Sequence, residues 1–301
     1  MKDMMRNFKN WVKLLLYASV GFLVFYLVKF DYLILENVHF NFSLLAMSVL
    51  LLWCGFFLST VSWRIALKQH GYEVSQPLAT YSHGISVFAK YIPGKLWVIL
   101  GRASLAARKD DSVKVFSTIS LKEQLVYLFV GLLISLFALL FVEVKLWFLI
   151  IILATLAGLS FFLFSKKVYQ LFMKLLKRLF GKELDVPFVG LKELTNIGAA
   201  TMLYWSFWSV GFFLLCKSIA PDISFMAAYA FPLSVSYGLL AVFMPGGIGV
   251  REGIIVFVLT AIGVDVKVAT TISVISRMWF ITGEIFIFLI ALLAKKTQIK
   301  T

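Results

Sequence analysis

Positive charge placed beside breaks in apolar sequence is the chemistry this chain offers. Lys95 follows the Pro-Gly pair of Tyr91-Ile-Pro-Gly-Lys-Leu-Trp97 at once and Arg102 lies seven residues on; Arg251-Glu252 follows that of Phe243-Met-Pro-Gly-Gly-Ile-Gly-Val-Arg-Glu-Gly253. Proline cannot continue a helix and glycine permits backbone angles other residues avoid, so each pair turns the chain. On a helix, Lys95 and Arg102 share one face. Arg grips an oxyanion bidentately, while Lys acts as a compact point charge. With helix ends exposed at Pro93-Gly94, the two suit an anionic group. A second reading lets Arg102 snorkel to an interface instead. In the later break Gly246, Gly247, Gly249 and Gly253 let backbone amides approach a ligand closely, and Arg251-Glu252 supplies both charge signs.

Three further charges stand inside apolar runs: Glu123, Arg277 and Glu284. A charge at membrane depth costs at least ~2.5 kcal/mol on insertion scales, so it marks a partner or a pathway. Some combination of Glu123, Arg277, Glu284 and the cations near the breaks is therefore expected to pair. A structural ion pair is one reading, foremost for Glu284; proton coupling through a carboxylate of raised pKa is another. The candidate substrate-binding set is Tyr91, Pro93, Gly94, Lys95, Trp97, Arg102, Glu123, Pro245, Gly246, Gly247, Gly249, Arg251, Glu252, Arg277 and Glu284. No catalytic residue, metal ligand or cofactor is expected. Cys54 and Cys216 lie inside apolar runs and read as small buried hydrophobes, and His39, His70 and His83 lack metal-ligand spacing.

The elements that carry these residues are set by hydropathy. The 301 residues are 61% hydrophobic and 15% charged, with a mean hydropathy of +0.94, which describes a polytopic membrane protein. The net charge of +14 is dispersed between apolar runs. It reads as topology, with Lys and Arg marking cytoplasmic segments, and not as nucleic-acid binding. An uncleaved first helix over Trp11–Val28 follows a basic N-terminus. Further spans are expected over Leu44–Trp63, Phe116–Phe141, Leu146–Phe164, Thr195–Cys216 and Val268–Leu293. The basic stretch 166–182 should form an amphipathic helix on the inner leaflet, with a face that attracts anionic lipids. Segments Pro77–Ala107 and Phe225–Val264, which hold the two breaks, read as re-entrant hairpins entering from opposite sides.

The expected fold is thus all-α and integral to the membrane, with about six transmembrane helices and two oppositely oriented re-entrant hairpins. Its halves, 1–145 and 146–301, form an inverted repeat in one membrane domain. Secondary transporters place their binding site where such repeats meet, at interrupted helices. Both termini are expected in the cytoplasm, and the location is the cell membrane.

The two break motifs, with Arg102 and with Glu123 in its own helix, resemble the signatures of the flippase-like family. That family is also named for the transmembrane region of lysylphosphatidylglycerol synthase and contains the N-terminal half of multiple peptide resistance factor. The resemblance covers nearly the whole chain. It implies an integral membrane protein acting on lipids, with translocation between leaflets as the assigned role in the best-known members. Bifunctional members carry a soluble aminoacyltransferase domain after the membrane region; the sequence ends at Thr301, so lysyl transfer is not expected.

The leading expectation is a translocase for an anionic lipid or lipid-linked glycan. Cations at the two breaks would hold the headgroup while the acyl or prenyl chain stays in lipid. Since no phosphate-binding P-loop motif occurs, energy would come from an ion gradient or the cargo's own gradient. The alternatives are a membrane-embedded transferase, an accessory partner of a glycosyltransferase or lipid-modifying enzyme, and a secondary transporter for a soluble anion. Membrane lipids are the expected partners, and nucleic acid is not.

Overall fold

The structure is a computed structural model that describes residues 40–91, 96–107, 112–139, 146–180, 188, 190–241 and 244–298. Every regular element among them is helical. Five helices are long and apolar enough to cross a bilayer, so the chain is a multi-pass membrane protein. The span expected over Trp11–Val28 lies outside the described residues.

The long helices are α1 (Phe42–Gln69), α4 (Val113–Leu139), α5 (Leu146–Phe164), α7 (Leu191–Ile219) and α10 (Val266–Gln298). The broken segments supply α2 (Gln76–Ser86), α3 (Leu96–Ala106), α8 (Ala230–Leu240) and α9 (Val250–Ala261). The basic stretch forms α6 (Lys166–Phe180), whose Leu171 is left exposed.

The centre of the bundle is the pair α1 and α7, which pack along their lengths. They run antiparallel: the Asn41 amide before α1 donates to the Ser218 carbonyl near the end of α7 (2.9 Å), and the Asn41 side chain caps Leu44. Asn41 and the end of α7 with the residues that follow it are therefore on one side of the bundle. Small residues set the seam between α1 and α7. Ser48 donates to the Gly211 carbonyl (2.6 Å), and Trp208 reaches over Gly55 to the Leu52 carbonyl (3.2 Å). Without a hydrophobic drive between helices in lipid, such close approach and cross-helix hydrogen bonds hold a bundle together.

Each broken segment forms two short arms packed on each other, α2 with α3 and α8 with α9. Their 11 or 12 residues reach about 18 Å at 1.5 Å per residue, less than the ~30 Å hydrocarbon core. A 3₁₀ turn, Val87–Tyr91, extends α2 up to the first break, and a second, Phe225–Tyr229, leads into α8. The arms cross between the halves: α2 lies along α10, and α8 lies along α4. The α2–α10 contact is close because Gly84 sits over the Ile287 carbonyl, with no side chain between them. As a result the turn Val87–Tyr91 touches the second break at Pro245–Gly247. Two turns more than 150 residues apart in sequence meet inside the bundle.

One expectation is corrected at this level. Cys216 is buried, but Cys54 is exposed on α1. A thiol is small and apolar enough to face lipid as readily as protein, so an apolar run does not decide which way it points.

Candidate functional site

Beside the meeting of the turn Val87–Tyr91 with the turn Pro245–Gly247, a cavity of about 380 Å³ opens between α1, α2, α3, α4, α7, α8, α9 and α10. Its charged lining comes from both halves: Lys90, Arg102 and Glu123 from the first, Arg251 from the second, with Gly246 contributing backbone. Aromatic walls of Phe56, Tyr127, Tyr204, Trp208 and Phe280 surround them, and apolar side chains such as Val98, Leu125 and Leu240 complete the rim.

Arg102 sits on α3 and is almost fully buried. Its guanidinium is 2.6 Å from Glu123 on α4, donates to the Ser120 hydroxyl and carbonyl (both 2.5 Å), and stacks 4.5 Å from the Trp63 ring. Ser62 donates to the other Glu123 oxygen (3.1 Å), and Trp63 in turn donates to Ser82 (3.1 Å). An interior ion pair holds only when its remaining donors and lone pairs are met in this way. The snorkelling reading of Arg102 is thereby overturned: its charge is directed inward, onto a carboxylate.

After the later break a second ion pair joins a short arm to the following span, with the signs exchanged. Glu252, on the arm α9, accepts from Arg277 on the following span α10 at 3.0 Å, as Glu123 on α4 accepts from Arg102 on α3. Arg277 also donates to the Gly246 carbonyl (3.2 Å), and Glu252 accepts from the Gly249 amide (2.7 Å) at the start of α9. Glu252 is thus a tethered anion at a helix N-terminus, where anions are favoured. Gly246, Gly247 and Gly249 all have positive φ. At Gly247 a Cβ would also fall 2.8 Å from the Cα of Gly238, so only glycine fits there.

Lys90, in the 3₁₀ turn before the first break, pairs with the fully buried Glu284 on α10. Its ammonium lies 4.7 Å from the centre of the Phe280 ring. The guanidinium of Arg251 lies 4.8 Å from that same ring and 5.6 Å from Phe231. His83 on α2 also lines the cavity, with its Nε2 3.2 Å from the Ser59 hydroxyl.

Of the residues singled out in the sequence, Arg102, Glu123, Gly246 and Arg251 line the cavity. Glu252, Arg277 and Glu284 lie behind it as ion-pair partners. Tyr91 closes the first 3₁₀ turn, Trp97 is half-buried early in α3, and Pro245, Gly247 and Gly249 build the second turn. Pro93, Gly94 and Lys95 lie outside the described residues. Sequence reasoning passed over Lys90, His83 and Phe280. Lys90 carried one usable signal, a charge three residues before a Pro-Gly break in an apolar stretch. Phe280 carried none, being one of 30 phenylalanines.

No curated protein and no solved structure matches the chain. A family described as lysylphosphatidylglycerol synthase TM region matches residues 10–290, a range that includes both breaks, the three ion pairs described above and every described wall of the cavity. With that match over nearly its whole length, and with a helical bundle built for the bilayer, the chain belongs to the lysylphosphatidylglycerol synthase transmembrane-region family.

Proposed function

We propose that the protein moves an anionic lipid, or a lipid-linked glycan, between the leaflets of the cell membrane. The observation that carries this reading is the cavity beside the turns Val87–Tyr91 and Pro245–Gly247, lined by Lys90, Arg102 and Arg251 and by aromatic rings. Its volume of about 380 Å³ falls in the range of small-molecule sites. A polar headgroup crossing a bilayer needs charge partners inside it, and cations at interrupted helices supply them. The apolar rim, with Val98, Ile99, Leu239 and Leu240, would let a hydrocarbon tail remain in lipid.

The arms α2–α3 and α8–α9 act in this reading as re-entrant hairpins from opposite sides, related by an inverted repeat. Supporting it are their shared shortness, the crossed packing of α2 on α10 and α8 on α4, and the sign-exchanged pairs Arg102–Glu123 and Glu252–Arg277. Rocking of one half against the other would expose the cavity to each leaflet in turn. The basic α6 would lie along the inner surface and gather anionic lipid.

The test is movement of a fluorescent phosphatidylglycerol across vesicles containing the purified chain. Wild type should equilibrate the label between leaflets faster than protein-free vesicles, and Arg251→Gln should slow it at least about tenfold. Equal rates in all three preparations would remove the transport reading.

A further inference from the structure

Among the described residues, three ion pairs stand in or behind the cavity wall: Arg102–Glu123, Arg277–Glu252 and Lys90–Glu284. They differ in one chemical respect. In the first two the cation is a guanidinium, which does not give up its proton in a protein. In the third it is an ammonium, which can give its proton up once withdrawn from water. Lys90–Glu284 is thus the pair in which a proton can pass from cation to anion and leave both neutral. Its two ends are also differently placed. The Lys90 side chain is 25% exposed and lines the cavity, whereas that of Glu284 is wholly buried on α10.

We infer that Lys90 and Glu284 take up one proton with each anionic headgroup, so that the protein is a proton-coupled carrier, an assignment that rests on the transport reading above. Lys90 hands an ammonium proton to the Glu284 carboxylate: an N–H bond breaks, an O–H bond forms, and both groups become neutral. The amine left behind takes a proton from hydronium in the cavity and releases water. The pair has then gained one proton and one positive charge. That charge stays at the cavity wall, where the Phe280 ring centre lies 4.7 Å from the Lys90 ammonium. An anionic headgroup in the cavity favours this loaded state, and the loaded state favours the anion by the same factor, because linkage is reciprocal. Headgroup and proton together add no net charge, so the loaded carrier crosses with the charge of the empty one.

The pair also stands where a change of charge can move the chain. It joins the turn Val87–Tyr91 to α10, and that turn touches Pro245–Gly247. The other ionisable groups on the same wall are Arg251 on α9, Arg102 on α3, Glu123 and Tyr127 on α4, Tyr204 on α7 and His83 on α2; the lining residues of α1 and α8 include none. Arg277 lies two turns before Glu284 on α10. Of these groups the imidazole is the rival carrier, since histidine ordinarily titrates near neutral pH.

The test uses the full chain and dioleoylphosphatidylglycerol in detergent, in weak buffer with a pH-sensitive dye, between about pH 5 and 9. Within that range wild type should take up about one proton per lipid bound, and its affinity should fall by up to about tenfold for each unit that pH rises. Glu284→Gln, an uncharged copy of the loaded acid, should keep the low-pH affinity throughout and take up no proton. The paired change Lys90→Met with Glu284→Gln should also take up none, while His83→Gln should match wild type. Thermal melting identifies any variant that has not folded. The pair is overturned if wild type binds no lipid or binds it without proton uptake, if folded Glu284→Gln still takes up the proton, or if folded His83→Gln loses it. In vesicles made alkaline inside by about one pH unit, labelled phosphatidylglycerol should gather in the inner leaflet by up to about tenfold. A potassium–valinomycin potential alone should not shift it. Proton uptake on binding without leaflet movement removes the transport reading alone. Movement that reaches the same leaflet ratio with and without the pH gradient removes the proton coupling alone.

Discussion

Arg102 meets Glu123 at 2.6 Å with both side chains almost wholly withdrawn from the surface, and this contact ties the short helix α3 to α4, the span that follows it. Removing one partner leaves the other as a buried, uncompensated charge. Arg102→Ala or Glu123→Ala should therefore each cost about 3–5 kcal/mol. The paired change Arg102→Met with Glu123→Leu should cost much less, because no charge is stranded. Tryptophan-fluorescence melting in detergent reads the order. Single variants as stable as wild type would mean that the pair is solvated and contributes little.

Close helix contact at Gly84 gives a second expectation. A Cβ there would lie 2.6 Å from the Ile287 carbonyl and 2.7 Å from the Ala291 side chain, so α2 and α10 must separate to admit it. Overpacking of this kind costs about 1–3 kcal/mol. Gly158, on α5, meets nothing within 4 Å, and Gly158→Ala should be neutral or stabilising by up to about 1 kcal/mol through reduced chain entropy. Melting temperatures of the two variants should shift in opposite directions, or only Gly84→Ala should shift. Because α2 carries the turn that ends in Tyr91, loss of lipid movement should accompany Gly84→Ala.

Whether water reaches the cavity can be read with introduced thiols. Gln124 on α4 lines it and is half-buried, whereas Ile150 on α5 is 54% exposed on an apolar face. In a chain whose Cys54 and Cys216 are replaced by Ala, Gln124→Cys should react with a membrane-impermeant methanethiosulfonate. Ile150→Cys, facing hydrocarbon, should react at least about tenfold more slowly, since the thiolate that attacks does not form in lipid. Equal protection of both positions would show the cavity to be dry.

These contrasts show which parts of the molecule could be read from sequence. Spans were legible because one long apolar run has one stable solution in lipid, and α5 has the bounds Leu146–Phe164 that hydropathy alone suggests. Their ends were less so. The span expected over Leu44–Trp63 stops before Arg64, yet α1 continues to Gln69, because a helix can carry charges past the interface while its backbone bonds persist. That buried charges must pair was legible from cost alone. The choice of partner was not, since Lys90 and Glu284 are 194 residues apart and only the packing of α2 along α10 joins them. Phe280 is the extreme case. Its place beside two cations is a product of tertiary geometry, and neither its type nor its neighbours in sequence foretell it.

The pair at the second break makes the last prediction, because Glu252 holds two things at once. Its carboxylate accepts the Gly249 amide at 2.7 Å and the Arg277 guanidinium at 3.0 Å. Glu252→Gln retains an oxygen for the amide but removes the charge that balances Arg277, while Glu252→Ala removes both. Among the described residues Arg277 Nε and Nη2 already lack hydrogen-bond partners, so its charge depends heavily on that one carboxylate. Glu252→Ala should destabilise most, by about 3–5 kcal/mol. Glu252→Gln should fall short of it by about 1 kcal/mol, the worth of a helix cap. Arg277→Met combined with Glu252→Gln should recover most of the loss, giving a coupling energy above about 1 kcal/mol in a double-mutant cycle. Additive single and double effects would instead show that the two side chains act separately, and that the turn at Gly246–Gly249 is held by its glycines alone.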